Sequence, residues 1–440
     1  MDQDTKTTSD YAVKDLRERD LIAQVTDVEA LKNQLNKEQT TLYCGFDPTA
    51  DSLHLGHLVP LLALKRFQQH GHRPIALVGG ATGLIGDPSF KTAERTLNSS
   101  DLIAHWADKI KSQVEPFIDF NCGDNSAIIE NNINWIQPLN VIEFLRNIGK
   151  HFSVNSMIKR EAVQQRINRH DSGISFTEFS YTILQGLDFA ELNKRYNCTL
   201  QIGGSDQWGN IVSGIDLCRK LNKNAAYGLT VPLITKSDGT KFGKTESGTI
   251  WLDPTKTSPY AFYQFWLKVA DNDVYKFLKF FTFLSINEIN AIEAEDASSN
   301  EKPKAQQVLA EKVTEIVHGM ASVESAQRIS KSLFANELSS LTKQDVQQLQ
   351  LDGLPSATIT TKDITDKPIT QFLSELNIVK SGKQAKDMLT SNSVFINKQS
   401  CSIKDNMNLS LFFNKNNAMH ETYFLIKTGK RNHFLVELVD

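Results

Sequence analysis

At 440 residues, with 40% hydrophobic and 22% charged side chains, the chain reads as a globular protein too long for one ordinary core, so two to four domains are expected. No apolar run reaches the ~20 residues needed to cross a bilayer, and the acid-containing opening has no apolar block, which argues against a secretory or organellar leader. A formal charge of −3 does not advertise nucleic-acid binding, and five scattered cysteines without a C-x-x-C pair point to reduced thiols in a cytoplasmic protein.

Residues 1–40 read as an amphipathic helical lead-in, with Leu16, Leu21, Ile22, Val25, Val28, Leu31 and Leu35 at helical spacings. "TTLYCGF" then predicts a strand, "DPTADS" a turn, and "GHLVPLLALKRFQQHGH" a helix stopped by Gly71. "RPIALVGGATGLIGDPS" is a second buried strand entering a glycine-rich turn. Strand, helix and strand within ~40 residues make a βαβ unit, hence a parallel sheet with ligand sites where strands end and helices begin. Residues 105–180 read as mostly helical, inserted between the halves of the sheet. "TLQIGGSDQWGN" gives another strand with a polar turn, followed by the helix "IVSGIDLCRKL", the strand "LTVPLIT" and the loop "KSDGTKFGKTESGT". From 258 to about 333 the pattern is helical and phenylalanine-rich, which reads as core. Residues 336–366, rich in Ser, Thr and Gln, read as a linker. From Lys367 onward ten Lys/Arg stand against six Asp/Glu, a tail of +4 on a body of −7, which hints at a polyanionic partner.

The stretch "HLGH" sets His54 and His57 three apart where a strand gives way to a helix. A metal site, two structural imidazoles and a phosphate site all fit that spacing. No third ligand lies nearby, whereas the free N–H groups and dipole of a helix starting near Gly56 favour an anion. Lys241 and Lys244 of "KFGKT" sit in a glycine-marked loop that could close over a polyphosphate. "GGATGLIGDPS" lacks the Gly-Lys-Ser/Thr of a P-loop, and its Asp87 is suited to an ammonium or a ribose. Lys91 and Arg95 follow on a segment able to reach a leaving pyrophosphate. Tyr181, Gln185 and Asp188 fall on one helix face, the polar wall of a small-molecule pocket, and Asp206 and Gln207 join from another strand end.

In this order the stretches resemble the bacterial-type tyrosyl-tRNA synthetases. "HLGH" resembles the HIGH signature of class I aminoacyl-tRNA synthetases and "KFGKT" their KMSKS loop, while "ALVGGATGLIGDPS", "ISFTEFSY", "LQIGGSDQWGN" and "DGTKFGKTESGTIWLD" extend the likeness over roughly residues 10 to 335. The end resembles an S4-type RNA-binding domain more loosely; it is poor in arginine, with Lys380, Lys383 and Lys386 instead.

The resemblance implies an α/β fold. A Rossmann-like catalytic domain would span 1–235, with a helical insertion at about 120–180 that serves as a homodimer interface. The signature loop and an α-helical anticodon-side domain would follow over 236–335, then a linker at 336–366 and an S4-like domain at 367–440. It implies that L-tyrosine attacks ATP, releasing pyrophosphate and leaving tyrosyl-adenylate, and that the tyrosyl group then passes to tRNA(Tyr). Mg2+ would accompany ATP, without a metal site made of protein alone.

Residue by residue, His54 and His57 would contact the nucleotide, with Thr49 helping at the transition state. Lys241 and Lys244, assisted by Lys91 and Arg95, would grip pyrophosphate. Gly45, Asp47 and Gly204 would face the adenylate and Asp206 its ribose. Tyr181, Gln185, Asp87 and Gln207 would hold the amino-acid end of tyrosine, and Asp188 with Tyr43 its phenolic hydroxyl. The related tryptophan enzyme and a catalytically silent, synthetase-like RNA-binding protein are the alternatives.

Overall fold

The computed structural model describes residues 11–89, 97–168, 173–237, 239–240, 242–245, 248–299, 303–335, 338–365, 367–414, 416–429 and 432–439. The chain divides into two compact units, residues 1–253 with 269–309 and residues 254–268 with 310–440. No helix among the described residues is long and apolar enough to cross a membrane.

Six strands of the first unit form one sheet: β1 (Gln24–Val25), β2 (Thr41–Phe46), β3 (Arg73–Val78), β4 (Ile128–Asn131), β5 (Cys198–Gly204) and β6 (Tyr227–Val231). Their spatial order is β1-β6-β5-β2-β3-β4. β2 to β6 run parallel, and β1 closes one edge antiparallel to β6. Strands covered on both faces need a near-continuous apolar run, and Leu42, Tyr43, Cys44 and Phe46 of β2 are all buried. The chain leaves β2 towards β3 and β4, then returns to β5 on the other side of β2. Such a reversal is where open α/β sheets bind ligands.

Two elements of the first unit differ from expectation. The lead-in is not one helix: Asp27 accepts from the Ala30 N–H at 3.0 Å and starts the helix Val28–Lys37, so the periodic leucines are shared with an earlier helix, Tyr11–Glu18. The expected insertion also surrenders its beginning to the sheet, since "IIEN" is β4, a four-residue strand too short to reveal its type by periodicity. Short helical segments follow over 133–167. Ser175 then caps the helix Phe176–Tyr196, which packs on the helix Trp208–Asn222. A two-stranded ribbon, β7 (Lys244–Thr245) and β8 (Gly248–Thr249), lies in the signature loop.

The second unit carries a five-stranded sheet of β9 (Ser356–Thr360), β10 (Val394–Ile396), β11 (Gln399–Cys401), β12 (Tyr423–Thr428) and β13 (Asn432–Val439), in the order β11-β10-β12-β13-β9. Ile369, Phe372, Leu389, Phe424 and Val436 fill its core. The stretch 336–366, read as a linker, instead supplies the helix Lys343–Gln348 and the edge strand β9, parallel to β13. Its "SATIT" is polar because an edge strand needs only one buried side chain here, Ile359. The helical stretch 236–335 is likewise shared between the two units. Several of its phenylalanines are core, with Phe277, Phe280 and Phe281 buried in the first unit and Phe262 in the second, whereas Phe334 is exposed.

Candidate active site

β2 and β5 end side by side, and their carboxyl ends deliver Asp47 and the run Gly204–Gln207 to one crevice. Asp47 is held by two hydroxyls: Thr82 Oγ1 donates to its Oδ1 at 2.7 Å and the Tyr181 hydroxyl to its Oδ2 at 2.6 Å. A glycine at 79 is required, because a Cβ there would lie 1.9 Å from Asp47 Oδ1. Beside Asp47 a cleft of about 170 Å³ is lined by Thr49, Gly83, Gly86, Leu97 and Asn98. Gly45 lies in β2 with open space where a side chain would stand.

His54 is the N-cap of the helix Leu55–Gln69 and His57 its third residue. Gly56 N–H donates to His54 Nδ1 at 3.0 Å, and His54 N–H donates to His57 Nδ1 at 3.1 Å, a reciprocal cap. The rings stack with centroids 4.0 Å apart. A Cβ on Gly56 would meet His54 Cε1 at 2.8 Å, so the glycine makes room for the ring.

The expected free backbone donors are therefore not free. Gly56 N–H is capped, Leu55 N–H donates to Ile250 O at 3.2 Å and His57 N–H to His54 O at 2.8 Å. What remains for an anion is the imidazoles. Each Nδ1 accepts, so each neutral ring carries its proton on Nε2 as a donor. Burial, then the neighbouring His54, holds the His57 pKa well below its ordinary value.

The signature loop is tied to these histidines. Leu252 N–H donates to Leu53 O at 2.9 Å, and Trp251 lies 6.2 Å from the His54 ring. Phe242 anchors the loop against Phe277, ring centroids 4.3 Å apart. Lys244 opens β7. Lys241, Lys91 and Arg95 lie outside the described residues.

The helix Phe176–Tyr196 supplies the other half of the crevice. Asp188 is 2% exposed, and burial pushes its carboxyl up to about 8 despite two donors, Trp135 Nε1 at 2.8 Å and Asn132 Nδ2 at 3.0 Å. Tyr43 is packed edge-on against Phe189, and its buried hydroxyl has no partner among the described residues. Among those residues Gln185 Oε1 and, opposite Tyr43 on β5, Gln201 Oε1 are also buried without a partner. Asp87 accepts from Ser89 Oγ and N–H at Oδ1 and from Gln207 Nε2 at Oδ2, the last at 2.7 Å. Gln207 Nε2 also lies 3.2 Å from Asp206 Oδ2. Tyr181, grouped with Gln185 and Asp87 by the sequence reading, spends its hydroxyl on Asp47 instead.

Residues 35–335 match the family of class I tRNA synthetases for tryptophan and tyrosine, and residues 345–436 match the SYY-like C-terminal domain of tyrosine–tRNA ligases. The tyrosine–tRNA ligases of Escherichia coli K12 / DH10B and Shigella boydii serotype 18 are each 57% identical over 428 residues, 97% of this chain and 99% of theirs. The chain belongs to the tyrosine–tRNA ligase family.

A C-terminally truncated mitochondrial tyrosyl-tRNA synthetase of Aspergillus nidulans superposes with a TM-score of 0.68 at 30% identity, over 75% of this chain and 95% of that one. A tryptophanyl-tRNA synthetase of Encephalitozoon cuniculi, 15% identical with a TM-score of 0.51 over 76% of this chain and 89% of its own, shares the fold.

In this member of the tyrosine–tRNA ligase family, four residues of the crevice lie beyond those that the sequence singled out: Thr82, Asn132, Trp135 and Gln201. Asn132 bridges the two halves, donating to Asp188 Oδ2 and, at 2.9 Å, to Thr82 Oγ1. The one signal in the sequence was the polar run Glu130–Asn132 after Ile128 and Ile129, a polar stop at a strand end.

Proposed function

We propose that the crevice activates L-tyrosine with ATP and transfers it to tRNA(Tyr), with each described polar group matched to one part of the substrates. The observation that carries the choice of amino acid is the buried Asp188 carboxyl near the unpartnered Tyr43 hydroxyl. Together they offer an acceptor and a donor to one phenolic hydroxyl. Phenylalanine would leave both unpaired.

An ammonium has donors only and needs acceptors. Gln185 Oε1 and the Asp87 carboxylate, steered by Gln207, are that set. Tyrosine's carboxylate then faces the α-phosphate, with Thr49 beside it. It attacks phosphorus, and the bond to the bridging oxygen breaks so that pyrophosphate leaves with the electron pair. His54 and His57 donate Nε2–H to the phosphates, and Lys241, Lys244, Lys91 and Arg95 take up the leaving charge. Gly45, Asp47, Gly204 and Asp206 face the adenosine. No covalent enzyme intermediate is needed, and catalysis rests on positioning and charge stabilisation. Magnesium we place with ATP, whose phosphates can hold it.

Two partners complete the reading. Val141, Ile142, Leu145, Val154, Ile167 and Phe176 are exposed apolar side chains on and beside the insertion, Phe176 at 76%, and a second copy of this chain is the partner that would cover them. In the C-terminal domain, Lys380, Lys383 and Lys386 are exposed at the start of the helix Gly382–Thr390, placed to meet RNA phosphates. The enzyme works in the cytoplasm on this reading.

The test is exchange of labelled pyrophosphate into ATP with tyrosine, phenylalanine and tryptophan supplied separately. Exchange with tyrosine alone is expected; exchange with tryptophan, or with none from folded protein, would overturn the reading.

A further inference from the structure

A line of hydrogen bonds runs behind the crevice, and its direction is fixed at both ends. Arg160, half-buried, donates through Nη1 to Thr182 Oγ1 and through Nη2 to Ser213 Oγ. The Thr182 hydroxyl, its oxygen used as an acceptor, donates onward to Asn210 Oδ1. Asn210 therefore turns its Nδ2 to Gln207 Oε1, at 3.3 Å. With that oxygen occupied, Gln207 turns its Nε2 to Asp87 and Asp206.

A guanidinium can only donate and an ionised carboxylate can only accept. Placed at opposite ends, they leave one consistent orientation for the two carboxamides between them. Among the described residues no carboxylate forms an ion pair with Arg160, and its contacts are the two hydroxyls. Its placement is that of a terminal donor rather than half of a salt bridge. The remaining members come from separate elements: Thr182 from the helix Phe176–Tyr196, Asn210 and Ser213 from the helix Trp208–Asn222, and Gln207 from the turn after β5.

We infer that Arg160, Thr182 and Asn210 are positioning residues that lock the Gln207 carboxamide with its NH2 towards Asp87, and so set the affinity of the site for the amino acid. If the carboxamide reverses, its oxygen faces the Asp87 carboxylate and repels it. The acceptor for the substrate's ammonium is then displaced, while the nucleotide side of the crevice, built on Asp47 and the two histidines, is untouched. The inference rests on the assignment of Asp87 to the ammonium made above.

The test is tyrosine-dependent pyrophosphate exchange by the full-length enzyme carrying Thr182→Val, which keeps the shape and removes the hydroxyl. The KM for tyrosine is expected to rise about tenfold, as for one lost polar contact, with the KM for ATP within twofold of wild type. Thr182→Ser should restore the wild-type value. Asn210→Asp, which cannot donate to Gln207 Oε1, should reproduce the loss, and it carries the same readout if the valine variant does not fold. An unchanged tyrosine KM in folded Thr182→Val or Asn210→Asp, or an equal rise for ATP, would overturn the relay. Wild-type enzyme that shows no tyrosine-dependent exchange would instead sink the functional assignment itself.

Discussion

The indole N–H of Trp135 lies 2.8 Å from Oδ1 of Asp188, and a buried carboxyl needs such donors to ionise at all. Burial raises its pKa to about 8, and the Asn132 and Trp135 bonds oppose that rise. Trp135→Phe keeps a ring in place and removes one donor. Below pH 8 the carboxyl keeps its proton, and a hydrogen bond between neutral groups contributes about 0.5–1.5 kcal/mol. The tyrosine KM should rise about threefold to tenfold and the preference for tyrosine over phenylalanine should narrow, both read by pyrophosphate exchange. A tyrosine KM within twofold of wild type would mean that Trp135 only fills space.

The same carboxyl makes stability depend on pH. Folded Asp188 keeps its proton up to about pH 8, whereas an unfolded aspartate loses it near 3.8. Between those values the folded chain binds more protons than the unfolded one, so this residue's contribution falls as pH rises from about 4 to 8. Asp188→Asn has no proton to lose and escapes that slope. In urea titrations without substrate, the asparagine variant should gain on wild type between pH 5 and pH 8. A constant gap would show that burial does not hold the proton on Asp188.

Part of the candidate site was legible because two of its acids sit at strand ends. Asp47 and Asp206 follow apolar runs that a βαβ pattern makes parallel, and strand ends in such sheets face the ligand. Tyr181, Gln185 and Asp188 declared themselves by helical spacing. Asn132 and Trp135 did not, because "IIENNINWIQ" has no period that separates strand from helix, and their partner lies more than 50 residues away. The histidines show a different limit. Their spacing located the helix start, but not that each Nδ1 would be consumed by the backbone, which moves the useful donors from the main chain to the rings. In 336–366 composition misled, because one buried isoleucine suffices for an edge strand.

Arg166 and Glu178 form an ion pair 2.9 Å apart, each side chain 1% exposed. Removing one partner strands a buried charge, a cost of about 3–5 kcal/mol, whereas replacing both with apolar groups can be neutral. Glu178→Gln should lower the melting temperature steeply, and Arg166→Met with Glu178→Leu should recover most of the loss. Differential scanning calorimetry reads both. Additive losses would mean that the pair is not coupled.

Changing Lys380, Lys383 and Lys386 together to alanine removes three exposed charges from one helix start. If they meet RNA phosphates, tRNA affinity should fall and the slope of log K against log salt should flatten by about two. Adenylate formation should not change. Filter binding over a salt series checks this, and an unaltered slope would place the RNA contacts elsewhere.

The reversal of strand order has a consequence in time. β2 is complete at Phe46, but its inner neighbour, β5, begins only at Cys198. At 5–20 residues per second, on the order of 10 s of synthesis separates them. Throughout that interval β3 can cover one side of β2, while the other presents a bare row of backbone donors and acceptors, the edge that invites mispairing. The reversal that shapes the crevice is, for those seconds, an adhesive seam of the nascent chain, and protection from the ribosome or a chaperone matters there.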